Sequence, residues 1–255
     1  MNLKYRIKQL HRKIRKIGLR QFIQYSLPAK GSLAISIENR KIWMRRGTPD
    51  LITALSSFDG EFSILRYVYP ANYTGVIVDA GGYIGTAAIA LSEMYPKATV
   101  ITIEPSKENF ALLQKNIDPY PNIKPIQGAL TEPGKSILTL RNRNTGAWGF
   151  TVVDKPLDCP EASELHQVPA LQISSLGVAL EDIGILKLDI EGAECALFTK
   201  DNDALSKIPF IIVELHDWIV AGCQDAFTAF SQDRIVIKER GEKYLSIKKN
   251  YRTPT

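Results

Sequence analysis

"VIVDAGGYIGTAAIALSEMYP", residues 76–96, decides how the chain is read. Its first five residues are the β-branched run of a buried strand, and "TAAIALSEMY" is a small-residue helix that Pro96 stops. Gly81, Gly82 and Gly85 stand between them. Glycine lets the backbone turn sharply and lets a ligand approach the main chain. A strand, a glycine turn and a helix in this order predict the first unit of a doubly wound sheet, whose ligand lies at the carboxyl ends of the strands.

Strand and helix alternate from there onward. "TVITIEP" precedes a helix over 106–117, with Ser106 as N-cap and Phe110, Leu113 and Ile117 as its inner stripe. "IKPIQGAL" supplies a third strand, and "ILKLDIEGAECALF" and "FIIVELHDW" two more. "RIVIKERGEKYLSIKK" reads as a hairpin turning at Gly241. The expected fold is α/β: a Rossmann-like doubly wound sheet, mostly parallel, with an antiparallel C-terminal hairpin. Short antiparallel strands and a long loop interrupt it at about residues 131–180. Residues 31–75 read as a β and helical lead-in, and residues 76–255 as the main domain.

Residues 1–70 hold 14 Lys and Arg against 4 Asp and Glu, while the rest of the chain is acidic. In the first 30 residues Leu3, Ile7, Leu10, Ile14 and Ile17 recur at helical spacing, which predicts a basic amphipathic helix. Two partners suit such a helix: protein, either its own domain or a second subunit, and an anionic membrane surface. Nucleic acid is disfavoured, because no aromatic residues interleave the charges. The three cysteines have neither disulfide nor metal spacing, and no apolar run is long enough for a membrane span. A cytoplasmic setting, with peripheral contact to the inner face of a membrane through the basic helix, is the expectation.

The turn is D-x-G-x-x-x-G: Asp79, Gly81, Gly82, Tyr83 and Gly85 form it, and its spacing differs from that of the pyrophosphate-binding G-x-G-x-x-G. An acidic residue at its start repels pyrophosphate and welcomes an ammonium group. S-adenosylmethionine carries one. Glu104, closing the second strand before Pro105, stands where a carboxylate accepts both ribose hydroxyls. Adenine is then expected by Gln127, Gly128 and Ala129.

The D-x-G-x-x-x-G turn, Glu104-Pro105, "LKLDIEGAE" at 186–194 and "VELH" at 213–216 resemble the FkbM-type family of S-adenosylmethionine-dependent methyltransferases. "IWMRRGTPDL" and "DGEF" resemble that family's preamble. The likeness implies a class I methyltransferase fold and transfer to an oxygen, commonly a hydroxyl of a sugar, polyketide or other small natural product. Gln127 departs from the pattern, since many methyltransferases place an acidic or amide residue one position nearer the turn.

Methyl transfer to a hydroxyl is an in-line displacement helped by a base or by a metal that acidifies the acceptor. Alternation along a strand groups Asp189 with Glu191 and Glu214 with His216. His216, titrating nearest neutrality, is the expected base, with Asp189 next. Asp189, Glu191 and His216 are alternatively a site for magnesium or a similar divalent cation. Glu214 and Trp148 are expected against the acceptor, a glycan, glycolipid precursor or other small molecule. The same cofactor half would serve an RNA methyltransferase, but "DIEG" stands where base-stacking aromatics belong. A non-catalytic binding module is compatible with the fold, as is a homo-oligomer.

Overall fold

The computed structural model describes residues 3–27, 29–239, 241–249 and 251, with side chains from residue 10 onward. In chain order it contains α1 (Leu3–Ile17), α2 (Leu19–Ser26), β1 (Ser32–Ile37), β2 (Arg40–Arg45) and α3 (Asp50–Phe58). Next come β3 (Val76–Ala80), α4 (Thr86–Met94), β4 (Thr99–Glu104), α5 (Lys107–Ile117), β5 (Ile123–Gln127) and β6 (Ala129–Leu130). The irregular region holds β7 (Ile137–Asn142) and β8 (Ser163–Leu171). The chain closes with β9 (Ile183–Leu188), α6 (Glu194–Lys200), α7 (Asn202–Lys207), β10 (Phe210–Glu214), α8 (Cys223–Phe230), β11 (Arg234–Lys238) and β12 (Lys243–Lys248).

Seven strands form the central sheet in the order β11-β12-β10-β9-β3-β4-β5. β3 pairs in parallel with both β4 and β9, so the order reverses at β3 and opens a crevice between its two neighbours. β12 is antiparallel to β10 and to β11, as the C-terminal hairpin predicts. The region after β5 forms a small separate sheet in which β8 pairs with β6 and β7.

Side-chain alternation divides the core. From β3, β4 and β9, Ile77, Val100 and Ile185 join the layer of α4, α5 and the lead-in. Val78, Ala80, Ile101, Ile103, Leu186 and Leu188 join the layer of α6 to α8. Both faces are covered, which is why these strands read as unbroken apolar runs. Ser106 caps α5, its hydroxyl accepting the Asn109 N–H at 3.3 Å. The inner face of α5 is Asn109, Leu112, Leu113, Asn116 and Ile117. Phe110 is only half-buried, because the cap turns the helix so that two asparagines face inward.

The expected single N-terminal helix is two. Gly18, at φ +79°, ends α1 and begins α2. Leu3 and Ile7 lie outside the described side chains. Ile17 is buried, and Arg12 and Lys16 both pair with Asp59 after α3, so the end of α1 rests on its own domain. α2 differs: Leu19 and Ile23, four residues apart on the helix, and Leu27, just past its end, are each about half exposed. Among the described residues no helix is long and apolar enough to cross a membrane.

Candidate active site

The turn after β3 is held against the end of β9. A Cβ on Gly81, at φ +85°, would stand 1.9 Å from the Asp189 carbonyl oxygen, and one on Gly82 would stand 2.3 Å from Thr102 Oγ1. No side chain fits at either position. Gly85, at φ +87°, precedes α4, with Ile117 and Leu113 at 3.0 and 3.3 Å from its would-be Cβ.

Glu104 is the centre of the next layer. Its Oε2 accepts the Tyr83 N–H at 2.8 Å, and its Oε1 accepts the Ser106 N–H at 2.9 Å and Asn109 Nδ2 at 3.1 Å. Burial pushes its carboxyl up to about 7 against these donors. Asn109 carries the network outward, since its Oδ1 accepts from Arg45 Nη1 at 2.7 Å. Arg45 forks onto the buried Asp50, and Asp50 accepts the Tyr83 hydroxyl. The lead-in thus grips the turn from outside, through Tyr83, whose backbone is left-handed at φ +50°. Sequence reading assigned no role to Asp50, Arg45 or Asn109, because their partners are remote along the chain.

Asp79 is placed differently from the expectation. Register sets it opposite Thr102 on β4 and Lys187 on β9. Lys187 Nζ lies 2.9 Å from its Oδ1, and Thr102 Oγ1 donates to its Oδ2 at 2.9 Å. Asp79 is fully buried and off the cavity wall, where an incoming ammonium would not reach it. Lys187 stands on the wall instead, donating to the Gly81 carbonyl at 2.9 Å and lying 3.8 Å from Asp189. The carboxylates around it hold its ammonium above the usual lysine range despite burial.

A cavity of about 250 Å³ runs across these strand ends. Gly81, Gly82, Tyr83, Glu104, Pro105, Gly128 and Ala129 line one part of it. Gly85 and Gln127 do not: Gly85 packs on α5, and Gln127 is the last residue of β5. Trp148 lines it from a short 3₁₀ turn, Ala147–Gly149, that Asn109 Nδ2 holds through the Ala147 carbonyl at 2.8 Å.

Asp189, Glu191, Glu214 and Lys243 line the far part. β9 ends at Leu188, so a left-handed backbone at Glu191, φ +53°, and not strand alternation aligns the two acids. Arg143, fully buried, holds Glu191 Oε2 at 2.5 Å. Burial pushes the Glu191 carboxyl up to about 8. Burial also raises Glu214, which stands 3.3 Å from Lys243, itself paired with Glu61.

His216 parts company with Glu214. β10 ends at Glu214, and His216 folds behind the acids, off the cavity wall. Its Nδ1 lies 3.0 Å from Glu194 Oε1, and its Nε2 faces Asp189 Oδ1 at 3.8 Å and Glu191 Oε1 at 3.9 Å. Burial disfavours its charged form, but Glu194, Glu191 and Asp189 outweigh it and raise the imidazole to about 10. Held by Glu194 on one side and off the wall, His216 is not placed to take the acceptor's proton itself, contrary to the expectation from its ordinary pKa. Glu194, which also accepts the Ile190 and Gly192 N–H groups at 2.8 Å each, was visible in "DIEGAE" only as part of a motif. Arg143 lies in the irregular region and gave no signal.

The family model for the methyltransferase FkbM domain matches residues 79–244. The chain belongs to the FkbM methyltransferase family. Its strand order, reversing at β3, is that of the class I methyltransferase fold. A curated relative, "Methyltransferase 1" of Beauveria bassiana (strain ARSEF 2860), is 27% identical over 161 residues, which are 55% of this chain and 64% of that protein. The match thus covers less than two thirds of that relative's length. Among solved structures, M. jannaschii TYW2 in complex with AdoMet aligns at a TM-score of 0.40 and 10% identity, covering 87% of this chain and 85% of that one. A methyltransferase from Geobacter sulfurreducens aligns at 0.40 and 13%, covering 76% and 77%. The residues of this FkbM domain fit the cofactor: Gly81 and Gly82 present bare backbone where a Cβ would clash, and Glu104 offers a pre-oriented carboxylate.

Proposed function

We propose that this FkbM methyltransferase acts on a hydroxyl oxygen of a glycan, a glycolipid precursor or another small natural product. The observation that carries the reading is one cavity joining Glu104 and the glycine turn to the polar wall of Asp189, Glu191, Glu214 and Lys243. S-adenosylmethionine supplies the electrophilic methyl group. Glu104 holds the ribose hydroxyls, the bare amides of the turn lie along the cofactor, and Gly128 and Ala129 border the adenine. Lys187, standing where Asp79 was expected, suits the carboxylate of the amino-acid end.

The acceptor meets hydrogen-bonding groups of both charges at the far wall, as a polyhydroxylated molecule requires, and Trp148 offers an apolar ring face beside them. Its hydroxyl must lose a proton as the methyl bond forms. Asp189 and Glu191 are the groups placed to assist, either by taking that proton or by holding a divalent cation that acidifies the hydroxyl. The exposed stripe of α2, beside Arg20, supports an acceptor that resides at an anionic membrane surface, with the helix resting on the lipid.

The test is methyl transfer from radiolabelled S-adenosylmethionine to a panel of sugars, sugar nucleotides, lipid-linked glycans and RNA, with products identified by mass. Methyl ethers on a hydroxyl acceptor are expected. Transfer only to RNA or to nitrogen would overturn the reading.

A further inference from the structure

We propose that Asp189, Glu191 and His216 form a binding site for one divalent transition cation of the Mn²⁺ type. The inference rests on the acceptor reading of the cavity and chooses between the two kinds of assistance open to it.

The three facing atoms are His216 Nε2, Asp189 Oδ1 and Glu191 Oε1. The nitrogen lies 3.8 and 3.9 Å from the oxygens, and all three fall within 4.8 Å of one another. A point equidistant from all three is then roughly 2.0–2.5 Å from each, the range of metal–nitrogen and metal–oxygen bonds. The same separations are too long for hydrogen bonds. His216 is 2% exposed, yet its Nε2 has no hydrogen-bond partner among the described residues. A ring nitrogen on a buried histidine, aimed between two carboxylates at non-bonding distance, points to something held between them.

Each of the three side chains is turned by a neighbour. Glu194 takes the Nδ1 side of His216, which favours the tautomer with a lone pair on Nε2. Glu194 is itself fully buried and fixed by two backbone N–H groups. Arg143 occupies Glu191 Oε2 and leaves Oε1 facing inward. Lys187 stands beside Asp189 Oδ2 and leaves Oδ1 facing inward.

Charge agrees. Asp79 and Asp189 share Lys187, Glu191 and Asp158 share Arg143, and Glu194 faces only the His216 ring, so carboxylates outnumber the lysine and arginine cations here. A dication offsets that surplus. One imidazole with two carboxylates suits Mn²⁺ better than Mg²⁺ or Ca²⁺, which prefer oxygen alone. Because Asp189 and Glu191 line the cavity, the remaining coordination positions face the acceptor, and a hydroxyl bound there would be acidified next to the methyl group.

The experiment is Mn²⁺ titration of chelator-treated full-length protein, followed by electron paramagnetic resonance of the free ion, with S-adenosylmethionine uptake measured on the same sample by calorimetry. One bound Mn²⁺ per chain is expected. Asp189→Asn should weaken it at least about tenfold, and Glu194→Gln by about 10–100-fold, with circular dichroism unchanged in Asp189→Asn. No Mn²⁺ uptake, or uptake with undiminished affinity in folded Asp189→Asn, would overturn the site. If S-adenosylmethionine is taken up while Mn²⁺ is not, the cation site alone fails. If Mn²⁺ binds as expected without cofactor uptake, the site stands and the methyl-transfer reading fails.

Discussion

The carboxylate of Glu104 accepts the backbone N–H of Tyr83 at 2.8 Å, tying the end of the second parallel strand to the glycine turn after the first. Both its oxygens are already oriented by donors, so in the proposed cofactor pose the ribose hydroxyls would meet a fixed acceptor. Glu104→Gln should weaken S-adenosylmethionine binding by about 10–100-fold, the cost of losing hydrogen bonds to a charged acceptor. Calorimetry measures this directly.

The same carboxyl sets a pH dependence. It titrates near 4.5 when unfolded and at about 7 when folded, because burial disfavours its charge. Between those values the folded chain binds a proton that the unfolded chain does not. This contribution therefore favours folding at low pH and is lost as pH rises through the window, by roughly 3 kcal/mol at most. Urea unfolding of the ligand-free protein from pH 4.5 to 7.5, compared with Glu104→Gln, should show the wild type losing stability relative to the variant. Parallel curves would refute it.

Gly81→Ala should cost about 3 kcal/mol or more, since its Cβ meets backbone at 1.9 Å and its φ is +85°. Gly134→Ala is the control. Its φ is +92° but nothing lies within 4 Å, so backbone strain of about 1 kcal/mol is the expected loss. Denaturation midpoints of the pair separate clash from strain; equal losses would remove the close approach to β9 as the cause.

Tyr83→Phe and Asp50→Asn should each raise KM for S-adenosylmethionine severalfold, about 1 kcal/mol, with kcat changed much less. The two residues share one hydrogen bond behind the turn, so the double variant should lose less than the sum of the single losses. Additive effects would show that the lead-in does not act on the cofactor turn through this contact.

Ile23→Asp with Leu27→Asp should reduce co-sedimentation with phosphatidylserine vesicles severalfold, because Ile23 is exposed on α2, Leu27 is exposed just past its end, and charge there opposes insertion. Vesicles without anionic lipid should retain the wild type weakly. Equal pelleting of wild type and variant would remove α2 as a lipid contact.

Local pattern carried far in this chain. The strand and helix order, the hairpin at the end, the Ser106 cap and the cofactor turn were legible because each depends on residues a few positions apart: apolar periodicity, a capping hydroxyl, glycines that a tight turn demands. Glu104 was legible for the same reason, as the acid that closes a strand. Phe110 and the single N-terminal helix were misread, because a helix's rotation and a break at Gly18 depend on what packs against them.

What the sequence determined by itself was therefore the class of fold, the family, and the places of the glycine turn and of the acid that closes the second parallel strand. Only the tertiary structure decided the partners of the charged groups. Asp79 went to Lys187 because register placed them on adjacent strands, and His216 fell behind the acids because Glu194, 22 residues earlier, anchors its other nitrogen. A side chain's charge, tautomer and direction are set by the groups it meets in space, and spacing along the chain does not encode those meetings.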